Sequence, residues 1–181
     1  QNGALLTDLT SFDNVALPLR EHTDLPESLI RRVVLLKLQA VGLRGAADLY
    51  PGQLSGGMNR RIAMARALAL DPDLMLYDEP FAGLDPISLA AGGRLIKQIN
   101  RVLGITSVVI THDVDVVEHF ADHACIISGG RVVAQGEPRS LHHSDDPLVR
   151  QFLEGLPDGP VPFHYPAADL DEELLAEEST R

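Results

Sequence analysis

The feature of this sequence that most constrains its fold is a short apolar run, Leu74 to Tyr77, followed directly by two acidic residues, Asp78 and Glu79. The run is too short and too uniform for an amphipathic helix, so it predicts a buried strand of a parallel sheet. Parallel α/β sheets bind ligands beyond the carboxyl ends of their strands. The two carboxylates are therefore expected to face a binding crevice.

Predicted strands and helices alternate along the rest of the chain. A second strand is expected from Thr106 to Thr111, and Gly129-Gly130 separates the two strands of a predicted hairpin. Helices are expected near Phe12 to Leu19, from Pro26 to about Ala40, from just after Ser55 to about Ala69, from about Pro86 to Leu103, from about Val114 to Phe120, at about Pro138 to His142 and at about Pro147 to Leu153. This alternation predicts an α/β fold with a parallel sheet that ends in an antiparallel hairpin.

Composition excludes several classes of protein. With 45% apolar and 23% charged residues, the chain is not wholly disordered. A formal net charge of −11 argues against a protein that coats nucleic acid or an anionic membrane, so no nucleic-acid partner is expected. The run from Val102 to Thr111 is too short to span a bilayer, and no leader is expected. The single cysteine, Cys125, lies in an apolar run and is expected to be a buried thiol in a reducing compartment.

Three further segments contain residue types suited to phosphate chemistry. In LSGGM, Ser55, Gly56 and Gly57 would place a hydroxyl and open backbone N–H groups at a helix N-terminus, which favours anions. GLDP follows the first strand, and His112 lies in THD at the end of the second. Each segment alone has a plain structural interpretation, as a helix cap, a turn or a strand exit. A strand-end aspartate can nevertheless hold Mg²⁺, and an acid beside it can polarise a water.

In their order along the chain, these segments resemble the motifs of a known family. Five motifs of ABC ATPase domains have similar segments here: the Q-loop resembles Gln1, the signature LSGGM, Walker B LMLYDEP, the D-loop GLDP and the H-loop THD. Three longer segments look more narrowly like the ATPase subunit of Mla-type phospholipid transporters: Gly3 to Glu27, Asp78 to Ser88 and Asp158 to Ala167. The resemblance implies a P-loop NTPase-like parallel sheet with a helical subdomain. It also implies a partial ABC ATPase domain at 1–155, with the helical subdomain at about 10–70, and a C-terminal extension at 156–181.

The resemblance also implies a role for each matching residue in binding and hydrolysing ATP with Mg²⁺. Glu79 would be the general base, His112 would hold the γ-phosphate, and Asp78 would hold Mg²⁺ through water. The γ-phosphate of the nucleotide on the opposite subunit would be bound by Ser55, Gly56 and Gly57. Asp85 would contact the partner subunit. Gln1 would sense Mg²⁺ and the permease.

The partners implied are a second copy of the chain, a membrane permease, an MCE lipid-binding protein and a small STAS-domain protein. The subunit would lie on the cytoplasmic side of a Gram-negative inner membrane, held there by the permease. The segment Pro157 to Pro166 contains four prolines and is expected to be extended. It carries Phe163 and Tyr165, and we expect it to pack on a neighbouring subunit.

The sequence departs from the family in one large respect. It contains no GxxxxGK[ST], and its only lysines, Lys37 and Lys97, follow no glycine loop. We therefore expect an N-terminally truncated chain that does not hydrolyse ATP alone. One alternative is a non-hydrolysing interaction protein, but such a protein would need neither Glu79 nor His112. The other is the ATPase of another lipid or lipopolysaccharide exporter, against which the segment Asp158 to Ala167 argues.

Overall fold

The structure is a computed structural model that describes residues 3–162 and residue 167. The chain divides into two compact units, Gln1–Phe120 and Ala121–Arg181. The boundaries expected from the sequence, 1–155 and 156–181, stay a prediction. Within the described residues, no helix is long and apolar enough to cross a membrane.

The first part of unit one is helical. Hydroxyl side chains cap two of its helices: Thr10 accepts the amide of Asp13 at 3.1 Å, and Ser55 accepts the amide of Met58 at 3.2 Å. Two short 3-10 turns, Arg44–Ala46 and Pro51–Gln53, join the second helix to the third. The helices are α1 (Ser11–His22), α2 (Glu27–Ala40) and α3 (Gly56–Ala67).

These three helices bury one part of the continuous apolar core of unit one, which we call the helical core. The fully buried apolar side chains are Val15, Ala16, Val34, Leu38, Ile62 and Ala65. Buried Asn14 is fully satisfied, since its side chain accepts the amide of Leu6 and donates to the carbonyls of Leu6, Leu9 and Thr10. The loop before α1 is thereby fixed to the helical core.

The face of α2 that packs inward is not the one its spacing suggests. Apolar residues recur every three or four positions at Leu29, Val33, Leu36 and Ala40, which predicts that this face packs inward, yet Leu29 and Leu36 are exposed. The buried positions are Ile30, Val34, Lys37 and Leu38. Lys37 can be buried because its ammonium group pairs with Asp71.

The second part of unit one contains the parallel sheet. Strands β1 (Leu74–Asp78) and β2 (Thr106–Ile110) pair in parallel, with Leu74 opposite Thr106 and Asp78 opposite Ile110. Helix α4 (Pro86–Leu103) connects them and ends at Gly104, whose φ of +66° is the usual left-handed cap. Helix α5 (Val114–Phe120) follows. The predicted parallel α/β arrangement is confirmed.

Only one face of this sheet is covered. Met75 and Tyr77 are buried, whereas four apolar side chains on the alternate positions are exposed, namely Leu74, Leu76, Val108 and Ile110. We call these four residues the open sheet face. The predicted parallel strand is confirmed, but its expected burial is wrong for this face, because the described helices leave it uncovered.

Unit two begins with the expected hairpin. Strands β3 (Ala124–Ser128) and β4 (Arg131–Gly136) are antiparallel, and Gly129 and Gly130 both have positive φ, as a tight hairpin turn requires. Cys125 is exposed rather than buried, because it alternates with the more covered Ile126 along a strand that is shielded on one side.

Helices α6 (Pro138–Leu141) and α7 (Pro147–Glu154) follow the hairpin in the described part of unit two. The side-chain amide of Gln151 bonds the main chain of Val161 twice, donating to its carbonyl and accepting from its N–H, both at 2.8 Å. Residues 157–161 therefore bend back to α7, where the prolines predicted an extended segment. Phe163 and Tyr165 lie outside the described residues, so their expected docking stays a prediction.

Candidate functional site

The carboxyl ends of β1 and β2 bring three of the candidate residues together. Asp78 is the last residue of β1, and His112 lies two residues beyond the end of β2. The amide of Glu79 donates to the carbonyl of Ile110 at 2.9 Å. The parallel pairing thus continues by one residue, which holds Glu79 beside the segment that carries His112.

The carboxylate of Glu79 is held by residues that follow the second strand. Its Oε1 accepts the His112 amide at 3.0 Å and lies 2.8 Å from Nδ1 of the imidazole. Its Oε2 accepts the Thr111 hydroxyl at 3.3 Å. Glu79 and His112 are 33 residues apart in sequence, so this cluster exists only through the parallel pairing of the strands.

Charge and exposure differ between the two partners. Hydrogen bonding to His112 is the largest effect on the Glu79 carboxyl and lowers its pKa, which keeps the group ionised near neutral pH. The side chain of Glu79 is 17% exposed, whereas that of His112 is 77% exposed. The second ring nitrogen of His112 is consequently available to a ligand while the first bonds Glu79.

The backbone of Glu79 is unusual as well. Its φ of +44° lies in the left-handed region, which costs a residue with a Cβ about 1 kcal/mol. The amide bond to Ile110 and the three contacts of the carboxylate offset this cost. Such strain often accompanies function, because it persists only where the surroundings enforce one geometry.

Asp78 is free to bind a ligand. Its carboxylate is exposed, and within the described residues no hydrogen bond or ion pair engages it. The described residues also contain no group of three or more His, Cys, Asp or Glu side chains that could enclose a metal ion. One carboxylate suits Mg²⁺, which keeps several waters and takes phosphate oxygens as ligands. A metal at Asp78 would therefore be shared with a phosphorylated ligand.

Ser55, Gly56 and Gly57 occupy the start of α3, as expected. The Ser55 hydroxyl caps the helix, and a Cβ added at either glycine would meet no atom within 4 Å. Nothing in the described chain requires glycine at these two positions. Their open main chain at a helix N-terminus suits an anion that approaches from outside.

Asp85 is the N-cap of α4 in this structure. Its Oδ1 accepts the amides of Ile87 and Ser88, both at 3.0 Å, and its Oδ2 accepts the Ser88 hydroxyl. These bonds, led by the Ser88 side chain, lower the pKa of the Asp85 carboxyl. The residue thus has a clear capping role within the chain. Gln1 lies outside the described residues.

Two features of the site are not indicated by the sequence. The Thr111 hydroxyl bonds Glu79 and also accepts the Asp113 amide, so it fixes the strand exit on both sides. Its position in THD was visible, but nothing in the pattern indicates its partner. The left-handed backbone of Glu79 carries no sequence signal, because glycine is the usual marker of positive φ.

Comparison with known proteins adds to this geometry. A family model described as ABC transporter matches residues 1–82. The MlaF protein of Escherichia coli K12, an intermembrane phospholipid transport system ATP-binding protein, is 56% identical over 97% of this chain and 65% of its own length. MlaF of Haemophilus influenzae is 58% identical over 97% of this chain and 66% of its own length. The chain thus spans slightly less than two thirds of these relatives.

A solved structure gives the same result for the fold. The ATP-binding cassette MJ0796, a dimer bound to ADP and Pi, matches with a TM-score of 0.68 at 34% identity, covering 77% of this chain and 61% of that chain.

Proposed function

This chain belongs to the ATP-binding domains of ABC transporters, and we propose that it is part of the ATP-hydrolysing subunit of a transporter that moves phospholipid between inner and outer membranes. We infer phospholipid as the cargo from the 56–58% identity to MlaF proteins across 97% of the chain. The observation that supports hydrolysis is the joining of Glu79 to His112 at the strand ends.

Glu79 acts as the general base in this proposal. Its Oε1 already faces two groups of His112, whereas Oε2 accepts only the Thr111 hydroxyl. Oε2 is therefore the oxygen that would take a proton from the attacking water. The exposed imidazole of His112 would orient the carboxylate and hold the γ-phosphate.

ATP with Mg²⁺, when bound, supplies the transferable phosphoryl group and neutralises its charge. Asp78 would hold the metal through water, as its exposed carboxylate allows. The residues present fit only the γ-phosphate side of the nucleotide, since these 181 residues contain no glycine loop for the α- and β-phosphates.

The start of α3 would serve the nucleotide of a second copy. Ser55, Gly56 and Gly57 share no hydrogen bond with Glu79 in the described chain, and the similar cassette MJ0796 is a dimer. Asp85 would contact the partner across such a dimer, and Gln1 would sense Mg²⁺ and the permease.

The remaining parts of the proposal concern the assembly. The subunit would work as a pair with a membrane permease, an MCE lipid-binding protein and a small STAS-domain protein, on the cytoplasmic side of the inner membrane. A docking module without hydrolysis would not need the Glu79 cluster. The identity to MlaF favours phospholipid over lipopolysaccharide as the cargo.

The test is ATP-driven transfer of a fluorescent phospholipid by the reconstituted transporter, with lipopolysaccharide as a competing cargo. We expect Ser55→Arg to abolish transfer, since a bulky side chain would fill the helix N-terminus meant for phosphate. Ser55→Thr, which keeps the capping hydroxyl, should retain transfer. A transporter that moves lipopolysaccharide and not phospholipid would refute the cargo, and full transfer by Ser55→Arg would refute the site.

A further inference from the structure

The loop between Glu79 and Asp85 is built from two consecutive turns that meet at Phe81. The amide of Ala82 donates to the carbonyl of Glu79 at 3.3 Å, and the amide of Leu84 donates to that of Phe81 at 3.1 Å. Gly83, with a φ of +69°, allows the second turn. Phe81 therefore belongs to both turns, the one that begins at Glu79 and the one that ends at Leu84.

The ring of Phe81 is seated on helix α4. Its side chain is only 6% exposed. A Cβ placed on Gly92 would lie 3.0 Å from Cε1 and 3.2 Å from Cδ1 of the ring. Gly92 comes seven residues after Asp85, so it lies two helical turns further along the same side of α4. The helix thus holds the loop at two points, by the Asp85 cap and by the Phe81 seat.

We infer that Phe81, seated on Gly92, is a positioning residue that sets the place of Glu79 relative to Asp85 for ATP hydrolysis. The inference rests on the proposed function, because it takes Glu79 as the base. Phe81 acts through the loop and touches no reacting atom. The seat also explains why glycine, a poor helix former, stands within α4 at this point.

Glu79 is sensitive to its loop for a structural reason. Its left-handed backbone persists only while its neighbours enforce it, and the turn to Ala82 is one of those neighbours. A methyl group on Gly92 would push the ring of Phe81 by a few tenths of an ångström. Since displacements of about 1 Å can slow catalysis about 100-fold, a shift of this size should slow it about tenfold.

The experiment compares variants of the complete transporter. We expect Gly92→Ala to lower kcat about tenfold with the KM for ATP within about twofold. Adding Phe81→Leu should restore at least about half of the lost kcat, since the methyl group added at Gly92 then fills the space that the ring vacates and the overlap is relieved. A second readout without ATP is hydrogen exchange of the Glu79 amide, which Gly92→Ala should accelerate.

Gly93→Ala is the matched control. Its Cβ would lie 2.4–2.6 Å from the ring of Phe120, a larger overlap than at Gly92 but against α5 rather than the loop. It should lower Tm more than Gly92→Ala and lower kcat less. A greater loss of kcat in Gly93→Ala would show a general disturbance of α4 and would overturn the inference.

The remaining outcomes are also decisive. Wild-type kcat and wild-type exchange in Gly92→Ala, or no recovery in a folded double variant, would overturn the inference. If Gly92→Ala does not fold, Phe81→Leu alone should accelerate exchange at Glu79, and unchanged exchange would count against the seat. If the wild-type transporter hydrolyses no ATP, the proposed function fails by itself, and the exchange readout decides the positioning role.

Discussion

The two parts of unit one differ in how much of their apolar surface they cover. In the helical core, Leu38 and Ile62 are 0% exposed, and the polar group of Asn14 has all its partners nearby. In the parallel sheet, Leu76 is 70% exposed and Ile110 is 62% exposed. The apolar side chains of the helical core are therefore fully buried, whereas the parallel sheet has one uncovered face.

This difference teaches where the chemistry depends on other surfaces. The Glu79 cluster grows from the ends of the half-covered strands, so its stability depends on a sheet whose open face the described residues leave in water. The start of α3, by contrast, extends from the fully buried helical core and is capped by the Ser55 hydroxyl. An uncovered apolar face of this kind favours association.

The largest effect expected from this comparison is on stability. In dilute solution of the chain, Leu38→Ala should lower the free energy of unfolding by about 3 kcal/mol, because it leaves a cavity in the helical core. The same change at Leu76 should alter it by less than about 0.5 kcal/mol, because that side chain is exposed. Urea unfolding followed by circular dichroism measures both. Equal losses would remove the distinction between the two regions.

The next effect concerns the chain by itself. We expect the 181 residues to associate through the open sheet face. They should show no Mg²⁺-dependent ATP hydrolysis and bind ATP with a Kd no lower than about 1 mM, because they contain no glycine loop to position the α- and β-phosphates. Leu76→Ser combined with Ile110→Thr should reduce this association, as measured by analytical ultracentrifugation. Leu36→Ser, a change of a leucine that is 68% exposed on α2, serves as the control and should reduce it less. A well-behaved monomer with micromolar ATP affinity would contradict this prediction.

Sequence patterns predict the helices and strands of this chain better than the way these elements pack. The bounds of α5 and the hairpin turn at Gly129-Gly130 follow from local signals, and both are confirmed. The inward face of α2 could not be deduced, since Leu36 and Leu38 are equally apolar and only the position of α1 and α3 decides between them. The exposure of Cys125 depends in the same way on what covers one side of a strand.

In the candidate site, too, the placement of residues follows from the sequence, whereas their side-chain packing does not. The placement of Asp78, Glu79 and His112 at one sheet edge follows from parallel strands, and the structure brings them there. The role of Gly92 could not be deduced, because the pattern shows a glycine in a helix but not the ring of Phe81 that rests on it. The catalytic and binding roles themselves stay predictions.

The smallest effect expected is on a single pKa. His112→Ala should raise the pKa of the Glu79 carboxyl toward its ordinary value of 4.5, because the main group that lowers it is gone. Since the folded pKa lies below that value, the pair stabilises the wild type above about pH 4.5 and this stabilisation is lost as the pH falls further. Carboxyl NMR titration measures the shift. His119→Ala, which removes an imidazole whose Nδ1 lies 2.7 Å from the main-chain carbonyl oxygen of Asp115, should leave the pKa of Glu79 unchanged.

The most direct test of the account is steady-state ATP hydrolysis by the complete transporter carrying Glu79→Gln, with ATP binding measured in parallel. We predict hydrolysis slower by about 10² to 10⁴ with binding retained, because only the proton-accepting group is lost. Glu21→Gln, the same change on the exposed surface of α1, should hydrolyse ATP at the wild-type rate. Hydrolysis by Glu79→Gln within about tenfold of wild type would contradict the assignment of Glu79 as the base.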